Sequence, residues 1–177
     1  MRVKSTAVIL VLVAWLAQFP IRAGVPVGEV VPDFSIQDQY GNTFQLGSKR
    51  GNSIVLVCGD RKGNQFMSAW YQEVKARFPN SQERPELISV AILSGVPGFL
   101  HSWVRGKFLP ANASEKRGPV LLDWSGTVPR LLGFTPDVTN VYLIDREGFL
   151  RYRTAGKGTA SDASGLLEAI DAVMRGK

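Results

Sequence analysis

Residues 54–78, IVLVCGDRKGNQFMSAWYQEVKARF, join two periodicities through a polar loop. Ile54 to Cys58 is an unbroken apolar run rich in β-branched side chains, which fits a strand covered on both faces in a parallel sheet. Gly59 to Gly63 breaks it with glycine and charge, and Asn64 is placed to cap a helix. Phe66, Met67, Trp70, Val74 and Phe78 then recur at three- and four-residue spacing, an amphipathic helix that Pro79 brings to an end. A buried parallel strand followed at once by a helix is the unit from which α/β sheets are built.

The flanking sequence repeats the pattern. Upstream, Val31 to Asp38 alternates apolar and polar side chains, Tyr40-Gly41-Asn42 is a turn, and Thr43 to Leu46 resumes the alternation, so an entry hairpin is predicted. Downstream come a second buried strand over Leu87–Leu93 and a short helix around Phe99–Val104. A third strand follows at Val120–Asp123, then a short helix over Val128–Leu132 with Thr127 as its cap and Pro129 in its first turn. Val141–Asp145 and Phe149–Tyr152 flank the turn Arg146-Glu147-Gly148 as a terminal hairpin. Ala163, Leu166, Leu167, Ile170, Val173 and Met174 mark a closing helix. The order β-β-β-α-β-α-β-α-β-β-α predicts an α/β sandwich with an antiparallel edge.

At the N-terminus, Arg2 and Lys4 precede the apolar run Ala7–Phe19, and Pro20 to Ala23 resembles a cleavage region. Residues 1–23 are therefore expected to be a signal peptide and 24–177 one folded domain. The alternative is an uncleaved membrane anchor over residues 5–21, at the lower limit of length for a span. Either way the domain is expected to be periplasmic or secreted, in an oxidising compartment. The net charge of +6 includes Arg2, Lys4 and Arg22, so the domain itself carries a surplus of about three. Its basic residues are scattered pairs, which argues against nucleic acid as a partner. No internal repeat is present. One cysteine, Cys58, and one histidine, His101, exclude an internal disulfide, a CxxC motif, a zinc cluster and a two-histidine metal site. No metal or cofactor is expected. Gly156-Lys157-Gly158-Thr159 lacks the earlier glycine of a phosphate-binding loop, and Asn112-Ala113-Ser114 is taken as a chance match to a glycosylation signal.

The punctuation of this pattern resembles the redoxin families of the thioredoxin-like superfamily, the alkyl hydroperoxide reductase-type peroxiredoxins and the thioredoxin-like periplasmic reductases. Val31-Pro32-Asp33-Phe34, Ile54–Val57, VLLDWSGTVPRLLGF (120–134) and VYLIDREG (141–148) carry the likeness. Within the superfamily the chain is most similar to the small, cysteine-poor periplasmic proteins of the YtfJ type. The resemblance implies a thioredoxin-like three-layer α/β/α sandwich with a central mixed sheet and an N-terminal β-hairpin extension. It also shows what is missing. The thiol positions of a reductase fall near Asn64 and Met67, and the position of its cis-proline falls on Thr139. The residues before Cys58 do not form the peroxiredoxin pattern either.

Two functions are left open. The first is a redox-inactive binding or accessory module of the cell envelope. It would engage an envelope protein, a peptide or a small anion through Asp60, Arg61, Lys62, Gly63, Asn64 and Thr139, with a membrane contact only if the N-terminal segment is retained. The second is a thiol-dependent antioxidant or peroxidase, an oxidoreductase using Cys58 as nucleophile. At the end of an apolar strand Cys58 reads as a buried hydrophobe, and Trp70, Trp103 and Trp124 read as packing residues, with Trp124 the one expected to reach solvent. His101 reads as a packed or surface histidine.

Overall fold

The computed structural model describes residues 24–110 and 118–176. The expected signal peptide and the Asn112 glycosylation match lie outside the described residues. Within them the predicted order of elements stands. A hairpin of β1 (Ser35–Gln37) and β2 (Thr43–Gln45) leads to β3 (Ile54–Gly59), α1 (Met67–Arg77), β4 (Glu86–Ile92) and α2 (His101–Phe108). Then come β5 (Val120–Asp123), α3 (Thr127–Leu132), β6 (Thr139–Ile144), β7 (Leu150–Gly156) and α4 (Ala160–Arg175).

Five strands form one mixed sheet in the order β5-β4-β3-β6-β7. β3, β4 and β5 run parallel, while β6 and β7 are antiparallel to their neighbours. Every residue of β3 is buried, as its unbroken apolar run requires, because the strand separates two cores. Val55 and Val57 face the first core, with Trp70 and Val74 of α1 and Ala163, Leu166 and Ile170 of α4. Ile54, Leu56 and Cys58 face the second, with Phe34 and Ile36 of the hairpin and Val128 and Leu132 of α3. The result is the thioredoxin-like three-layer sandwich with an N-terminal hairpin.

Two predicted caps are corrected. The turn of 3-10 helix before α1 begins at Gly63, and its first amides are held by the Asp60 carboxylate and not by Asn64. At α3 the Thr127 side chain caps nothing. The buried Asp123 carboxylate accepts from the Thr127 and Val128 amides at 2.9 and 2.8 Å. In both places an acid at the strand end satisfies the orphan donors of the next helix and suits its positive end. α2 differs from the other helices in having no buried residue.

Candidate functional site

β3, β4 and β5 all end at the same edge of the sheet, where open α/β sheets bind their ligands. The loop leaving β3 crosses this edge beside the segment entering β6. Asp60 organises it: Oδ1 accepts from the Gly63 amide at 2.7 Å and the Lys62 amide at 3.1 Å, and Oδ2 accepts from the Asp137 amide at 2.8 Å. The Asn64 amide donates to the Asp60 carbonyl at 2.9 Å. Lys62 Nζ lies 2.8 Å from Asp137 Oδ2, and that hydrogen bond first, then the Asp137 charge, raises the lysine pKa.

Thr139, at the cis-proline position, is buried and donates from Oγ1 to the Gly63 carbonyl at 2.7 Å. No cis peptide bond occurs among the described residues. Gly63 has to be glycine here, since a Cβ would stand 2.3 Å from the Val138 carbonyl oxygen. Asn140 secures the other side by donating to the Thr135 and Val138 carbonyls at 2.8 and 3.1 Å. Asp137, held from both sides, takes a left-handed backbone with φ of 67°.

Asp60, Lys62, Gly63 and Thr139, picked from the sequence, therefore meet in one network. The exposed side chains of Arg61 and Asn64 stand outside it. Asp137 and Asn140 complete the network and were not expected from sequence. Their signal, an acid and an amide flanking the cis-proline position, is too common to read alone. The Lys62 and Gly63 amides, which an anion in this loop would need, already hold the Asp60 carboxylate.

Cys58 sits one residue before this loop but beneath it. It pairs with Val90 and Asn140 across the sheet and is 0% exposed. Burial pushes its thiol well above the ordinary value, and the Asp123 charge adds to the rise. At the two thiol positions, Asn64 is exposed and Met67 is buried. Among the described residues no three His, Cys, Asp or Glu side chains gather as metal ligands would.

The same edge carries a feature that the sequence reading placed wrongly. Trp103 was expected to pack and Trp124 to reach solvent. Instead Trp103 is 63% exposed and Phe99 84% exposed, while Trp124 is half-buried under His101, their rings stacked at 4.0 Å. His101 Nε2 lies 3.0 Å from the Val96 carbonyl oxygen, which fixes the start of α2. Phe99, Trp103 and Lys107 follow at i, i+4 and i+8, with the lysine ammonium 4.9 Å from the Trp103 ring centre. Trp70, by contrast, is buried as expected.

No protein-family model matches this sequence, and no curated protein matches it. Solved structures do. A protein described as thiol:disulfide interchange protein DsbE from Chlorobium tepidum superposes with a TM-score of 0.59 at 23% identity, over 85% of this chain and 99% of that one. The exposed lipoprotein thioredoxin Etrx1 of Streptococcus pneumoniae gives 0.57 at 17% identity, over 77% and 98%. A thiol peroxidase from Chromobacterium violaceum gives 0.53 at 13% identity, over 84% and 88%. At these identities the likeness is one of fold. The chain is a thioredoxin-fold protein.

Proposed function

We propose that this chain is an exported thioredoxin-fold protein without thiol-disulfide activity, acting as a binding or accessory module in the cell envelope. The observation that carries the reading is Cys58. The single thiol lies fully buried within the sheet, with its pKa raised, while Asn64 and Met67 occupy the thiol positions of a reductase. A thiolate nucleophile needs access and nearby positive charge, and Cys58 has neither.

Export is supported by the N-terminal sequence, a basic start followed by an apolar run. Among the described residues no helix is long and apolar enough to cross a membrane.

The binding role is supported by α2 and the turn before it. Large aromatic side chains standing in water at 84% and 63% exposure are what a partner covers. Residues 94–110 contain no acidic side chain and include Arg105 and Lys107, so the partner we propose is an envelope protein presenting apolar and acidic groups to this face.

The test pairs activity with contact. The purified protein should consume no peroxide and reduce no disulfide substrate. A photo-crosslinking residue at position 103, introduced in the host, should form a discrete protein adduct that survives Cys58→Ala. Peroxide consumption lost in Cys58→Ser would establish the peroxidase reading instead.

A further inference from the structure

The opposite end of the sheet carries a cavity of about 620 Å³. Asn52 and Ser53 at the entry to β3, the start of β4, Lys75 of α1, Arg84, and Arg146 from the β6–β7 turn all line it. Three cations thus face one acid, Glu86, and both oxygens of that acid are taken by Lys49 Nζ at 2.8 Å.

Arg84 and Arg146 are half-buried residues, yet neither meets a carboxylate among the described residues. Arg84 donates through Nη1 to the Phe78 and Pro79 carbonyls, both at 3.1 Å. Arg146 has no side-chain partner among the described residues. Lys75 leans over the Tyr71 ring at 5.7 Å. Arginines without a counter-ion keep free donors, and their planar donor sets match tetrahedral oxyanions.

A second observation points the same way. Ser53 is 6% exposed, and its buried hydroxyl has no hydrogen-bond partner among the described residues. Buried polar atoms are paired as a rule, so an orphan in the wall of a cavity whose cations lack a counter-ion marks a place where a ligand belongs.

We propose that this cavity binds a phosphate-class oxyanion, free phosphate or a phosphomonoester, through Arg146, Arg84 and Lys75 with the Ser53 hydroxyl as a further donor. The site is at the other end of the sheet from α2, so it stands or falls independently of the function proposed above.

Isothermal titration of the purified protein with sodium phosphate, at constant ionic strength and against acetate, tests it. Phosphate should give saturable one-site binding that outcompetes acetate. Arg146→Gln, which removes a side chain with no internal partner, should weaken it about tenfold or more. Ser53→Ala should weaken it about threefold while leaving thermal stability equal or slightly higher, since no internal bond is lost. Equal binding of acetate, heat that does not saturate, or an unchanged constant in Arg146→Gln would each overturn the proposal.

Discussion

The loop leaving β3 and the helix leaving β4 start from neighbouring strands at one edge of the sheet, and they treat their exposed groups in opposite ways. The β3 loop is polar in sequence but closed in structure. Its amides turn in toward Asp60, its Gly63 carbonyl is taken by Thr139, and its lysine is paired with Asp137. α2 and the turn before it carry large aromatic side chains that stay open in structure, with Phe99 and Trp103 in solvent and no residue of α2 buried. A loop that satisfies itself needs nothing from outside. Two neighbouring aromatic rings left in water are the kind of surface that a partner covers, which is why the proposed binding role is assigned to α2 and the turn before it. Under the function proposed above, that difference favours α2 over the β3 loop as the surface a partner covers.

The largest effects are expected at the closed loop. Gly63→Ala drives a Cβ to within 2.3 Å of the Val138 carbonyl oxygen, a backbone atom that cannot rotate away. A loss of about 3 kcal/mol is expected in denaturant unfolding. Asp60→Ala removes the acceptor of three amides, those of Lys62, Gly63 and Asp137. It should cost about 2–3 kcal/mol, and the same experiment measures it. Thr139→Val keeps the shape but leaves the Gly63 carbonyl without its donor, at about 1 kcal/mol. If all three variants unfold like the parent protein, the loop is not the structural clasp described.

A second self-satisfied turn at the same edge serves as a control. Asp162 closes a capping box with Thr159 at the start of α4, and its carboxylate also accepts from the Lys157 amide at 3.0 Å. The hydrogen bond from the Thr159 amide, first among these contacts, holds its pKa below the usual carboxylate value. A depressed folded pKa means that the stabilisation is complete above the unfolded value near 4 and is lost as pH falls through the folded one. Between pH 5 and pH 3, Asp162→Asn should therefore lose less stability than the parent does.

The smallest effect on stability belongs to α2. Phe99→Ser with Trp103→Ser should change unfolding by no more than about 0.5 kcal/mol, because both side chains are mostly exposed and Trp103 loses only its surface contact with Lys107. The same pair should abolish the crosslinked adduct. A large destabilisation would mean that these rings belong to the protein's own core.

What the sequence disclosed follows from which forces are local. The unbroken run Ile54–Cys58 and the spacing of Trp70 and Val74 are set by burial on known periods, and these elements stand where they were placed. The caps were misassigned because the choice between Asn64 and Asp60, or Thr127 and Asp123, depends on the backbone path and not on residue type. The exposure of Trp103 is not legible in the sequence, because an aromatic at helical spacing looks the same whether its helix face is covered or bare. The partners of the loop, Asp137 and Asn140, lie more than 70 residues from Asp60, and only the pairing of β3 with β6 brings them together.

Cys58 decides between the two functional readings, and thiol titration of the folded protein with a chromogenic disulfide across pH distinguishes them. The buried, pKa-raised thiol should remain unreactive from pH 6 to 9 and titrate fully only after denaturation. Rapid reaction of the native protein near neutral pH, abolished by prior peroxide treatment, would contradict the proposed function and make Cys58 a working nucleophile.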